Sequence, residues 1–219
     1  MKKIVTEKTL ELNICAEIIS LIRSLQNCNK SFWIGMTQSQ EAFTGMDEYI
    51  ENMPHGYYLI FQFKSPWINP RNNLRFNFTI NDRQHFHLSI LARSFPHSCF
   101  YVFPYYKDYG KLAQNSPGLL NDTWFLDINS ILNLPRSLNR AGTHKVECLN
   151  GSAIIHSPSI KCKLSKLKEI KGQLEIEKFI PYEKMCDWFR KVLTDKTEIN
   201  HYHWLAGGLR LMCISTNST

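Results

Sequence analysis

The sequence predicts an α/β fold, a central mixed sheet flanked by helices, and three stretches carry that reading. An amphipathic helix opens the chain between Thr6 and Leu25. Tyr57 to Phe63 is an aromatic and β-branched run, opened by Pro54 and Gly56 and stopped by Pro66, as a short buried strand would be. From that strand the chain passes through a segment with helical spacing, Asp82 to Arg93, into a second buried run, Cys99 to Phe103. Strand, helix and strand in that order make a βαβ crossover, which favours parallel pairing.

Taken in order, the elements have identifiable causes. Thr6 caps the first helix, and Glu7 in its first turn suits the helix dipole. Leu10, Ile14, Ile18, Leu21, Ile22 and Leu25 recur at helical spacing and define one buried stripe. Glu11 projects into that stripe, and Glu17 falls at its margin. An acid inside an apolar face is costly unless paired or metal-bound, although a Glu at the end of the stripe can also reach solvent past the first turn. Phe32-Trp33-Ile34 predicts a short strand, and the polar stretch Thr37 to Phe43 leads to Gly45 and Asp47 at a turn beside a strand. Trp67 to Asn73, which carries Arg71, reads as a Pro/Asn-rich loop. Leu74 to Ile80 alternates polar and apolar residues like a half-buried strand.

Asn81 or Asp82 caps the helix that ends at Arg93, and its first turn holds Arg83, Gln84, His85 and His87. Leu112 to Leu120 reads as a loop, Trp124 to Ile128 as a strand and Ile131 to Arg140 as irregular. Asn150-Gly151 between apolar runs signals a hairpin over Lys145 to Ile155. Tyr182 to Leu193 has the pattern of an amphipathic helix, followed by an aromatic and apolar tail from His201 to Ile214. The organisation expected is a core over residues 1–140 and a C-terminal extension over 141–219, hairpin plus helix, packed on it.

Composition narrows the classes. A chain of 219 residues, 43% hydrophobic and 12% aromatic, can bury a sizeable core and is not disordered. The formal net charge of +7 favours a polyanionic partner. Seven cysteines are scattered singly without a CxxC pair, which excludes a zinc ribbon or thioredoxin-like motif and fits reduced thiols in a cytosol. The first residues lack an apolar signal region and no window is apolar enough to span a bilayer, so the expectation is a cytoplasmic protein that does not engage membranes. No P-loop, dinucleotide-binding or nucleophile-elbow motif is present. His85-x-His87 and His201-x-His203 have a spacing that chelates metal on a strand, but His85-x-His87 falls at a helix start, where that spacing splays the rings.

The residues out of place are Gln62 and Lys64, two apart at the end of the apolar strand and so on one face of it. A hydrophobic core has no use for an amide and an ammonium side by side, whereas a metal or phosphate site does. Cutting a phosphodiester requires a metal to generate hydroxide and to neutralise charge on the phosphate oxygens. Mg²⁺, or Mn²⁺ in its place, takes oxygen ligands, commonly one or two carboxylates with waters and substrate oxygens. Asp47 would be such a ligand, Gln62 would lend its side-chain carbonyl, Phe63 its backbone carbonyl, and Glu11 a second carboxylate, with Glu41 and Glu17 as alternatives. Lys64 would orient the attacking water or stabilise developing charge.

The order of a Glu on the first helix, Gly45-Met46-Asp47, then Phe61-Gln62-Phe63-Lys64 resembles the PD-(D/E)XK nuclease superfamily, closest to the Mrr-like branch with Gln in place of the last acid. Met46 stands where the family has proline. The resemblance covers roughly residues 6–128 and implies a restriction-endonuclease-like αβββαβ core. It implies a Mg²⁺- or Mn²⁺-dependent DNA endonuclease of bacterial restriction or anti-phage defence, acting as a homodimer or under a regulatory partner. The roles implied are metal ligand for Asp47, catalytic lysine for Lys64, variant second acid for Gln62 and, less directly, helix acid for Glu11. Candidate nucleic-acid contacts are Gln84 and His85 on the following helix, Arg71, and Lys161 and Lys163 of a lysine-rich stretch that otherwise reads as a solvated face. The rival expectation is a module that keeps the fold and binds nucleic acid or a partner without cleaving, since Gln62 removes one metal carboxylate.

Overall fold

The computed structural model describes residues 5–24, 30–35, 47–51, 59–69, 72–94, 96–106, 108–149, 151–156 and 159–166. They form a mixed α/β protein. Helix α1 (Glu7–Arg23) is capped by Thr6, whose Oγ1 accepts from the Thr9 backbone N–H at 3.2 Å. Three strands follow, β1 (Phe32–Gly35), β2 (Glu48–Glu51) and β3 (Leu59–Phe63). A hairpin, β4 (Trp67–Asn69) and β5 (Asn72–Asn81), leads into α2 (Asp82–Ser94) and then β6 (Cys99–Pro104). Next come α3 (Tyr109–Gln114), a 3-10 turn (Leu119–Asp122), β7 (Thr123–Asp127), a second 3-10 turn (Ile128–Ile131), and strands β8 (Thr143–Leu149), β9 (Ser152–Ile155) and β10 (Ile160–Lys163).

The strands make two five-stranded sheets. The first runs β1-β2-β3-β6-β7, the second β10-β9-β8-β5-β4. Every pairing is antiparallel except β3 with β6, which lie parallel with Ile60 opposite Cys99 and Phe63 opposite Val102. That pair is the crossover expected from the strand-helix-strand order, with α2 between.

Strand alternation splits the first sheet's side chains between two cores. Leu59, Phe61, Phe63, Phe100, Val102 and Phe125 pack under the stripe of α1, namely Leu10, Ile14, Ile18 and Ile22. Ile60, Cys99, Tyr101, Phe103 and Leu126 face the other way, against Phe78, Ile80, Val146, Cys148 and Ile155 of the second sheet and Leu88, Leu91 and Ala92 of α2. Phe78 and Phe103 lock the sheets together with ring centroids 4.7 Å apart. All five residues of β3 are buried, which is why the strand tolerates apolar residues on both faces.

Three expectations need correction. Part of the presumed loop 67–73 is strand: Trp67–Asn69 pairs antiparallel with β5 across a register irregularity. The presumed loop 112–120 contains the end of α3, capped by Asp108 on the Lys111 N–H, and the start of a 3-10 turn. The first core is larger than the stripe alone because Leu112 and Leu119 from those elements join it. The β8–β9 hairpin forms as expected, Leu149 pairing with Ser152 and Gly151 adopting φ 80. Yet β8 pairs with β5 over six residues, Phe76 to Asn81 against Thr143 to Cys148, so the boundary at 140/141 falls within the second sheet. The helix expected at 182–193 and the tail at 201–214 lie outside the described residues. Cys15, Cys99, Cys148 and Cys162 are buried and not disulfide-bonded, and burial pushes the Cys148 thiol up to about 12.

Candidate active site

Asp47 and Gln62 meet at the C-terminal end of β3. Because β2 runs antiparallel to β3, the residue just before β2 lies beside the last residues of β3, and the Asp47 N–H donates to the Phe61 carbonyl at 3.1 Å. From there the Asp47 carboxylate reaches across the strand end. Its Oδ2 accepts from the Phe63 backbone N–H at 2.7 Å and from Gln62 Nε2 at 2.5 Å. Gln62 Nε2 also lies 3.2 Å from the Phe63 carbonyl, so the amide nitrogen sits between two oxygens.

Gln62 is wholly buried and points toward the second core, where Gln84 of α2 donates from Nε2 to Gln62 Oε1 at 2.7 Å. Gln84 stands in the first turn of α2, which Asn81 caps by accepting from the Arg83 and Gln84 N–H groups at 3.0 and 3.2 Å. Lys64 continues the parallel ladder, its N–H donating to the Val102 carbonyl at 3.0 Å, so strand alternation puts its side chain on the face of Gln62. Asp47 and Lys64 are each only 8% exposed, an enclosure in which charges act on one another more strongly than in water.

Tyr101, opposite Gln62 across the parallel pair, floors this site. Its hydroxyl is held well above the usual tyrosine range, first by burial and then by the negative charge of Asp47. His85 approaches Tyr101 Oη at 3.3 Å through Nδ1, while its Nε2 lies 3.0 Å from the Ile131 carbonyl and 3.2 Å from Ser89 Oγ. His85 was expected to touch nucleic acid; it is instead buried, with both ring nitrogens engaged inside the protein.

The helix acids are distributed differently from the expectation. Glu11 is buried on the α1 side of the first sheet and pairs with Lys8 one turn earlier, while Gln62 faces the opposite side of that sheet. Glu17 caps the 3-10 turn: its carboxylate accepts from the N–H groups of Gly118, Leu119 and Leu120 at 2.7, 2.9 and 3.2 Å. The acid that α1 brings to the end of β3 is Glu7, whose Oε2 accepts from the Ser65 N–H at 3.0 Å, next to Lys64. In the sequence Glu7 carries only the signature of a first-turn acid, so nothing there distinguishes this role. Ser65 Oγ is bonded to the Val5 carbonyl, which ties the start of the chain to the same corner. Glu41 and Arg71 lie outside the described residues. Lys161 and Lys163 are exposed and alternate along β10, at the edge of the second sheet.

Two oxygens of the kind that Mg²⁺ takes, the Asp47 carboxylate and the Phe63 carbonyl, meet at the strand end, while the Gln62 side-chain carbonyl is turned away and accepts from Gln84. The Gln62 amide nitrogen, between Asp47 Oδ2 and the Phe63 carbonyl, marks a point where these groups already accommodate a positive pole. Among the described residues no group of three or more His, Cys, Asp or Glu side chains is gathered as a metal site. A cation here would therefore rest on one carboxylate with amide and backbone oxygens. Among the same residues no helix is long and apolar enough to cross a membrane. No protein-family model, curated protein or solved structure matches the chain.

Proposed function

We propose that this chain is a divalent-metal-dependent endonuclease that hydrolyses phosphodiester bonds in DNA, of the PD-(D/E)XK kind with Gln62 in the place of the second acid. The observation that carries the proposal is the convergence of the Asp47 carboxylate on Gln62 and Phe63 at the end of β3, with Lys64 on the same strand face. The first sheet supports it in part: α1, β1, β2 and β3 precede a crossover in which β3 and β6 lie parallel, with the β4–β5 hairpin of the second sheet inserted between β3 and α2.

Asp47, Gln62 and Phe63 would hold Mg²⁺ or Mn²⁺, which when bound supplies a low-pKa water and neutralises charge on the phosphate. Lys64 contributes a fixed positive charge in a poorly hydrated corner, suited to steering the water or meeting charge that builds on the phosphate oxygens. The +7 net charge and the exposed Lys161 and Lys163 would hold the nucleic-acid backbone. Cleavage of both strands calls for two such sites, hence a homodimer, and a nuclease of restriction or defence needs a partner or signal that restrains it.

One observation favours the second reading, a non-catalytic binding module. The Gln62 amide nitrogen donates to Asp47 Oδ2 and also lies against the Phe63 carbonyl, so the protein satisfies the buried carboxylate by itself. Incubation of supercoiled plasmid with Mg²⁺ or Mn²⁺ separates the two. The endonuclease nicks the plasmid, Asp47→Ala abolishes nicking, and Lys64→Ala slows it by about 10²–10³-fold, the loss typical of one preorganised charge-stabilising donor. A protein that retards DNA on a gel yet nicks nothing across these metals is the binding module.

A further inference from the structure

We infer that Gln62 and Gln84 form a two-amide relay that turns over when a divalent cation enters the Asp47 site, which makes Gln84 a positioning residue for cation binding. The inference rests on the metal-dependent reading above and adds a component to it. As the amides stand, Gln62 directs its NH₂ group at Asp47 Oδ2 (2.5 Å) and the Phe63 carbonyl (3.2 Å), and its carbonyl away from them, at Gln84 Nε2 (2.7 Å). That orientation offers a donor where a cation needs an oxygen. Rotation of the Gln62 amide by half a turn exchanges its ends, and the terminal torsion of glutamine is broad and roughly two-fold, so the rotation itself costs little.

The rotation has one consequence that the surroundings must absorb. Gln62 is fully buried, so its NH₂ group, once turned away from Asp47, cannot reach water and must find an acceptor on the α2 side. Gln84 is the residue already in contact there, and its own amide can turn to present Oε1 in place of Nε2. Gln84 is only half-buried, so its displaced NH₂ group can be solvated. Asn81 anchors the Gln84 backbone through the N-cap, which leaves the amide to turn without moving the helix. Two glutamines, each both donor and acceptor, are needed for this. A carboxylate in the place of Gln62 would ligate in either orientation.

The relay is read with Mg²⁺ alone. In ¹⁵N-labelled full-length protein the side-chain amide resonances of Gln62 and Gln84, assigned with Gln62→Met and Gln84→Met, are followed through a Mg²⁺ titration while calorimetry records binding. Both amides should shift together and saturate at one Mg²⁺ concentration, and Asp47→Ala should remove both responses. Gln84→Glu, which can only accept, favours the turned Gln62 and should tighten Mg²⁺ binding about tenfold, the worth of one hydrogen bond to a charged group. Placing Gln62→Met in the same chain should erase that gain. A gain that persists with Gln62→Met is simple charge attraction and overturns the relay. Mg²⁺ binding with an unmoved Gln84 amide also overturns it and leaves the metal site standing, whereas absence of any Mg²⁺ binding overturns the metal-dependent reading and the relay together.

Discussion

The imidazole of His85 is enclosed between α2, Tyr101 and the Ile131 carbonyl, and that burial lowers its pKa from 6.5 to about 4, against the smaller opposing pull of the carbonyl. The sign of the linkage follows. Between these two values the unfolded chain binds a proton at His85 that the folded protein refuses, so stability is intact above pH 6.5 and falls as pH drops toward 4. The loss from this group is at most about 3 kcal/mol. Thermal melts from about pH 7 down to pH 4.5 should show Tm falling with pH, and His85→Phe should flatten that slope whatever its effect on the absolute Tm. An unchanged slope would assign the acid sensitivity to other groups. At this scale Asp47, Gln62 and Lys64 were legible because an amide and an ammonium on an apolar strand are anomalies in one dimension. Gln84 drew notice only as a candidate nucleic-acid contact; its bond to Gln62 joins residues on different elements, which no spacing along the chain signals. Glu7 was read as a first-turn acid, as it is, but its bond to Ser65 was not legible, because helical projection tells which face an acid shares and not which end of a neighbouring sheet that face meets.

Local signals marked α1, β3, α2, β6 and the β8–β9 hairpin, each bounded by a cap, a proline or a turn pair. The short 3-10 turn at Leu119–Asp122 had no such signal. Its leading Gly118 supplies no side-chain cap, and the three N–H groups it exposes are met by Glu17 from far earlier in the chain. Glu17 therefore ties α1 to the segment that enters β7, and removing it leaves three donors to water in a half-buried place. Glu17→Ala should cost about 2 kcal/mol, within the range for hydrogen bonds to a charged group, with Mg²⁺ binding unaltered. A denaturant titration measures the first and calorimetry the second; a loss of Mg²⁺ binding in a folded variant would restore Glu17 as a site carboxylate. The hairpin makes a matching prediction. Gly151 adopts φ 80, and a Cβ there would stand 3.1 Å from the Trp124 ring. Gly151→Ala combines left-handed strain with that close approach and should destabilise by about 1–2 kcal/mol, read as a lower denaturant midpoint at unchanged slope.

Two sheets sharing one core determine what the molecule can do without. The site lies at the end of β3, but the residues behind Gln62 belong to α2, and α2 packs with the second sheet through Leu88, Leu91 and Ala92. That sheet is assembled from both halves of the chain. β5 comes from before residue 140 and β8, β9 and β10 from after it, joined along the six-residue β5–β8 pairing. The sequence reading located the hairpin but treated it as an addition, because strand pairing between distant segments has no local signature. Deleting residues 141–219 would strip Val146, Cys148, Ala153, Ile155, Cys162 and Leu164 from the core and leave Phe78 and Ile80 facing solvent on a strand with an unpaired edge. Burial of one such side chain is worth about 1.5–3 kcal/mol, so losing the contacts of several exceeds the whole stability of a typical domain. The fragment 1–140 should therefore lack a cooperative thermal transition, bind a hydrophobic dye and show no Mg²⁺ response at Gln62, while the full chain melts cooperatively. A fragment that melts cooperatively with the site intact would mean that α1, the first sheet and α2 are self-sufficient, and the second sheet only covers them.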